Sequence, residues 1–98
     1  MPDLPELDEV CHGQVRLAAL SLLSGVKEAE FTWLRNKIGA SDGNLSIHLS
    51  KLENAKYIKV EKQFVGKKPQ TLYRLTKKGR EAFLEYVCNL KALLGKKF

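Results

Sequence analysis

Residues 40–83 read ASDGNLSIHLSKLENAKYIKVEKQFVGKKPQTLYRLTKKGREAF, and this stretch decides the fold. Ser41 is a residue type that caps helix N-termini through its side-chain oxygen. Leu45, Leu49 and Leu52 follow at i, i+4 and i+7, which puts one apolar stripe on a helix running to about Asn54. Alternation then takes over. Ile58 and Val60 oppose Lys59 and Glu61, and Thr71, Tyr73 and Leu75 oppose Leu72 and Arg74, so residues 58–64 and 70–75 are predicted as half-buried strands. Gly66-Lys67-Lys68-Pro69 supplies the turn between them. Thr76 then caps a further helix. The order is therefore helix, basic β-hairpin, helix.

Upstream, Val15, Ala18, Ala19, Leu22 and Leu23 recur at helical spacing, which predicts a helix over residues 8–23 with Asp8 as N-cap and Ser24-Gly25 as the stop. Residues 28–31 fit a brief strand. Thr32 is placed to cap a second helix carrying Trp33, Leu34 and Ile38 and closed by Gly39. Only Gly39-Ala40-Ser41 separate this helix from the next, and so short a turn makes the two cross steeply, as in a helix-turn-helix. Downstream, the last helix carries Phe83, Tyr86, Val87, Leu90, Leu93 and Leu94. The expected fold is mainly α with a small β-hairpin, a winged helix-turn-helix. Residues 1–7, with Pro2 and Pro5, are expected to form a loose leader, and residues 8–98 one domain. Internal repeats, low-complexity segments and linkers are not visible.

The chain has 98 residues and a formal charge of +6, unevenly distributed. Residues 1–50 hold 4 Lys/Arg and 7 Asp/Glu, net −3, whereas residues 51–98 hold 13 and 4, net +9. A basic half on a small domain either faces a polyanion, most often nucleic acid, or is simply a lysine-rich soluble surface. The two cysteines, Cys11 and Cys88, are too far apart for a disulfide framework or a metal-binding spacing. His12 and His48 have no Cys, Asp or Glu at ligand spacing, so neither a metal nor a cofactor is expected. No nucleophile–base pair, paired catalytic carboxylates or glycine-rich phosphate loop is present, which argues against an enzyme. No signal peptide or membrane-length apolar run is visible, and a cytoplasmic location is expected.

The outer surface of the third helix is small and polar. Gly43, Asn44, Ser46 and Ser50 would let it approach a duplex closely, and Asn44 can bridge an adenine edge through its amide. The helix N-terminus at Ser41 aims free backbone amides outward, which suits a phosphate. Asp42 opposes that role and is expected to turn aside or cap. The same face could also be an ordinary solvated one. The hairpin adds weight. A turn needs no lysines, yet Lys67 and Lys68 stand at its tip, with Lys62 and Arg74 on the flanking strands. Such a loop can follow a phosphate backbone or enter a minor groove. Lys77 and Lys78 oppose the dipole of the last helix in its first turn, either as solvated side chains or as part of the same cationic surface.

Ser41-Asp42-Gly43-Asn44-Leu45-Ser46, His48-Leu49, Lys51-Leu52-Glu53 and Tyr57-Ile58 resemble the recognition-helix region of winged-helix transcriptional regulators, in particular the small single-domain relatives of the MarR and ArsR classes. Phe64-Val65-Gly66-Lys67-Lys68-Pro69, Thr71, Tyr73-Arg74-Leu75-Thr76 and Gly79-Arg80 are similar to the wing and following helix of that group. The resemblance spans roughly residues 10–95. It implies a homodimer that binds an operator in double-stranded DNA, usually as a repressor. Carried over, Asn44, Ser46, Ile47 and Ser50 face bases, Ser41, His48 and Lys51 position phosphates, and Lys67 and Lys68 are wing contacts. Ile47 departs from the family, where a basic residue is frequent; isoleucine can touch a thymine methyl but cannot bond a guanine edge. The ArsR-type cysteine-rich metal signature is absent, and no small-molecule effector is evident.

The last helix has more large apolar residues than one small core needs. Phe83, Tyr86, Val87, Leu90 and Leu94, together with the first helix, are expected to meet a second copy of the chain. Cys11 and Cys88 would sit in those two helices, either as free thiols or as a redox switch on the dimer. Two other roles fit the same fold. One is a protein-interaction winged helix within a larger complex. The other is an RNA-binding module, which would stack bases on aromatics although the hairpin offers only Phe64 and Tyr73.

Overall fold

The computed structural model describes residues 6–95, which form four helices and a three-stranded sheet. In chain order these are α1 (Gln14–Ser24), β1 (Ala29–Glu30), α2 (Phe31–Ile38), α3 (Asp42–Asn54), β2 (Ile58–Val65), β3 (Lys68–Leu75) and α4 (Lys77–Gly95). The sheet is antiparallel throughout, in the order β1-β3-β2. The short β1 pairs Ala29 with Tyr73 and Glu30 with Leu72, so β3 is central only at its C-terminal half. Beyond that point β2 and β3 project as a free two-stranded ribbon. Pro69 lies in the ribbon, opposite Phe64. It is tolerated because β1 does not extend that far and no third strand needs its missing N–H.

Leucines make the core. Leu20 and Leu23 of α1, Leu34 of α2, and Leu45, Leu49 and Leu52 of α3 are all sealed from solvent. The i, i+4, i+7 stripe of α3 is thus its inward face. Ile58 and Tyr73 close the core from the sheet, with the Tyr73 ring against Phe31 at 6.4 Å between centroids. Burying six leucines at roughly 1.5–3 kcal/mol each is the main stabilising contribution to so small a domain.

α4 is anchored by one close approach. Thr76 Oγ accepts from the Gly79 amide at 3.0 Å, the expected cap, and donates to the Lys56 carbonyl at 2.7 Å. The Thr76 amide bonds to the Tyr57 carbonyl at 3.0 Å. Gly79 is thereby pressed onto Tyr57, where a Cβ would overlap the carbonyl oxygen. Only glycine fits there without a backbone shift.

Three expectations need correction. Helix one begins at Gln14, not near Asp8. The Asp8 carboxylate instead caps a turn, accepting from the Val10 amide at 2.8 Å and the Cys11 amide at 3.1 Å, and it also accepts from the Tyr57 hydroxyl. Burial works to raise the Asp8 pKa, but these hydrogen bonds outweigh it and hold the carboxyl below its ordinary range. Cys11 consequently lies in that turn and not in a helix, fully buried. Secondly, Thr32 lies inside α2; Glu30 occupies the N-cap position without a side-chain bond, because strand pairing with Leu72 delivers the chain directly into the helix. Thirdly, of the leader expected at residues 1–7, Glu6 and Leu7 are held: the Glu6 carbonyl accepts from Asn89 Nδ2 at 3.2 Å, and Leu7 packs on the core. Residues 1–5 lie outside the described residues.

Candidate nucleic-acid interface

α3 exposes what the sequence placed on its outer face. Ser41 Oγ accepts from the Asn44 amide at 3.2 Å, which caps the helix and leaves the Asn44 side chain in solvent. Gly43, Ser46, Ser50 and Lys51 are exposed, and Ile47 is 59% exposed. Asp42 does turn aside. Its carboxylate pairs with Arg35 of α2 at 2.9 Å, so the negative charge at the helix N-terminus is met by a cation of the preceding helix.

His48 is not a free cation. Arg16 of α1 donates from Nη1 to His48 Nδ1 at 2.9 Å, while its other nitrogens bond the carbonyls of Val10 and Glu9. A guanidinium can only donate, so Nδ1 must be the unprotonated acceptor and Nε2 carries the hydrogen. Desolvation, then the charges of Arg16 and Lys51, push the His48 pKa down. At neutral pH His48 therefore offers a neutral N–H donor to a phosphate or base, in place of the charge a phosphate contact first implies.

The hairpin turn is tighter than its sequence suggests. Val65 pairs with Lys68, leaving Gly66 and Lys67 alone at the tip, and Gly66 has φ 65°. A two-residue loop with positive φ at its first position is the II′ connection that matches strand twist. Side chains alternate along the ribbon. Ile58, Val60, Lys62 and Phe64 share the α3 side, with Leu75, Tyr73, Thr71 and Pro69 opposite them on β3. Ser46, Ser50 and Glu53 of α3 and Val60 and Lys62 of β2 line one shallow cleft. The outer face of α3 and the base of the wing are therefore one continuous surface.

Two expected site residues are occupied elsewhere. Arg74 lies on the sheet face away from α3, bonded to Glu28 at 3.0 Å and Glu61 at 2.9 Å. Two carboxylates satisfy it, so it is a strut between strands and not a free wing cation. Tyr86, expected at an interface with a second copy, is 3% exposed and bonded to His12 Nδ1 at 2.9 Å. Its surface is used within the subunit. Phe83, Val87 and Leu90 are also partly covered by the core, whereas Leu84 and Leu94 stand exposed on α4. Lys78 lies over the Tyr57 ring at 5.7 Å, a cation–π contact that offsets its unfavourable place in the helix dipole.

The residues that composition could not find are Arg16, Arg35 and Leu84. Arg16 meets His48 across 32 positions and Arg35 meets Asp42 across a turn, pairings that depend on helix crossing. Leu84 has the right residue type but falls outside the expected stripe. Among the described residues no cluster of His, Cys, Asp and Glu could hold a metal ion, and no helix is long and apolar enough to cross a membrane.

A capped helix three residues after its predecessor, sharing a cleft with the base of a lysine-tipped ribbon, defines a winged helix-turn-helix protein. Residues 15–94 match the winged helix DNA-binding domain family, and the chain belongs to it. It is 34% identical over 85 residues to an uncharacterised protein of Methanocaldococcus jannaschii, covering 87% of this chain and 92% of that one. The structure of a transcriptional regulator homologue from Pyrococcus horikoshii OT3 superposes with a TM-score of 0.83 at 25% identity, covering 91% of this chain and 88% of that one. A PadR-family transcriptional regulator from Eggerthella lenta shares the fold, with a TM-score of 0.69, 20% identity and coverage of 84% and 80%. So does a MarR-family regulator from Silicibacter pomeroyi, with a TM-score of 0.70, 19% identity and coverage of 91% and 59%. The protein is a winged-helix transcriptional regulator; its family and fold are those of DNA-binding regulators, not enzymes.

Proposed function

We propose that the protein acts in the cytoplasm as a homodimeric repressor that reads an inverted repeat in double-stranded DNA. The carrying observation is the continuous surface from the outer face of α3 through Lys62 to the wing. With α3 in a major groove, Asn44, Ser46, Ile47 and Ser50 meet base edges, and Ser41, His48 and Lys51 meet flanking phosphates. Gly43 allows close approach at the helix N-terminus. Lys67 and Lys68 bind the neighbouring backbone. Leu84 and Leu94 on α4, flanked by the half-covered Phe83, Val87 and Leu90, supply the apolar face for the second copy.

Selection of bound sequences from a random duplex pool, with sedimentation of the free protein, tests this reading. The expected result is a dimer and an enriched palindrome whose half-sites lie about one helical turn apart. A monomer enriching a single half-site removes the dimer. A protein that enriches nothing from the pool contradicts sequence-specific binding.

A further inference from the structure

The wing carries an apolar tip as well as lysines. Phe64 is 75% exposed and Val65 58% exposed, at the end of a two-stranded ribbon with no core beneath them. Phe64 faces Pro69 across the strands, and the pair lies on the α3 side of the ribbon, directly beyond Lys62 and Thr71. Lys62 lies behind it on the same face, Lys67 stands at the turn, and Lys68 faces the other side of the ribbon, all exposed. A hairpin that only followed phosphates would gain nothing from phenylalanine at this point.

The geometry points to a minor-groove wedge: Phe64, backed by Pro69, inserts at a base step next to the groove held by α3. This rests on the duplex-DNA reading above and names what the wing does there. Val60 is level with α3 in their shared cleft, and Phe64 lies four residues further out, about 13 Å along the strand. The major groove is about 12 Å wide, so the tip passes over one phosphate ridge and reaches the adjacent minor groove. Charge complementarity selects the occupant. An apolar pair with Lys62 behind it, Lys67 at the turn and Lys68 on the far face suits a groove walled by phosphates, where the cations hold the backbones and the ring meets the base edges. Phenylalanine and proline are among the side chains that wedge between base steps from the minor groove, unstack them and bend the duplex. Pyrimidine–purine steps yield most easily, so the wing favours TA or CA under its tip.

The test uses the full chain and two A·T-rich duplexes of equal composition, one with TA steps at each half-turn and one with none. Affinity is measured across salt concentrations, and bending by energy transfer between end labels. Wild type is expected to bend the TA duplex. Phe64→Ala is expected to bind it about tenfold more weakly, abolish the bend and erase the TA preference, with an unchanged salt slope. Phe64→Leu is expected to retain most of the bend. Phe64 is exposed, and an unchanged circular dichroism melt confirms that the variants fold. A wild-type complex without a bend, or a Phe64→Ala complex indistinguishable from it, overturns the wedge and leaves the DNA reading intact. Loss of self-association in Phe64→Ala assigns the tip to a protein contact and likewise overturns it. A wild type that binds neither duplex overturns the reading on which the wedge depends.

Discussion

Arg16 donates to His48 at 2.9 Å and so ties α1 to the middle of α3. The bond fixes α3 against the body of the domain and settles the tautomer of a histidine beside the surface proposed to meet DNA. The same guanidinium grips the turn before α1 through two carbonyls. Arg16→Ala should cost about 2 kcal/mol of stability, measured by chemical denaturation.

The same pair predicts a pH dependence. The folded pKa of His48 lies below its ordinary value of 6.5, first through desolvation and then through Arg16 and Lys51. At pH above 6.5 the imidazole is neutral in both folded and unfolded chains. As pH falls below 6.5 the unfolded chain takes up the proton first, so this contribution to stability is lost until the folded pKa is passed. Nuclear magnetic resonance should find His48 titrating below 6.5, and Arg16→Ala should move it upward. A wild-type value at or above 6.5 would contradict the assigned hydrogen bond.

Gly79→Ala should be among the most damaging single substitutions. The added methyl overlaps the Tyr57 carbonyl oxygen, and both backbones are held by the Thr76 bonds. The start of α4 must shift, at a cost of about 2 kcal/mol or more. The thermal midpoint should fall by several degrees relative to wild type; an unchanged midpoint would show that α4 is not seated as described.

The wing lysines and Arg74 should behave differently. Lys67→Ala/Lys68→Ala should weaken binding to all duplexes about equally and lower the salt slope by about 1 for each phosphate no longer neutralised. Arg74→Ala should leave that slope unchanged, because Glu28 and Glu61 already neutralise the side chain. Fluorescence anisotropy over a salt series separates the two outcomes.

The two thiols should differ in reactivity. Cys11 is fully buried, and burial together with the Asp8 carboxylate raises its pKa to about 11. Cys88 is exposed on α4. Iodoacetamide should alkylate Cys88 in the folded protein and Cys11 only after denaturation, as peptide mapping would show. Rapid labelling of native Cys11 would contradict its burial.

Local patterns carried most of the fold. The Ser41 cap, the Leu45–Leu49–Leu52 stripe, the alternation through residues 58–64 and 70–75 and the Thr76 cap all operate within a few residues, where chain geometry is governed by neighbours. Pairings across the chain were not legible. Asp8 has the chemistry of a helix cap and caps a turn instead, because Tyr57, 49 positions away, supplies a second partner. Arg74 reads as a wing cation until strand register places Glu61 on its face and β1 brings Glu28 beside it. Tyr86 fits an interface stripe until His12 is found against it. In each case a residue of the right type was claimed by a distant partner. The outer face of α3 stayed legible because its charged neighbour, Asp42, is occupied by Arg35.

The most direct test of the central claim is amide chemical-shift mapping as a duplex recovered by random-pool selection is titrated into labelled protein. The largest changes should cluster at residues 41–51 of α3 and its cap and at residues 62–68 of the wing. The sheet face bearing Arg74 and Glu61 should stay quiet. Changes confined to α1 and α4, with α3 and the wing unmoved, would contradict the account.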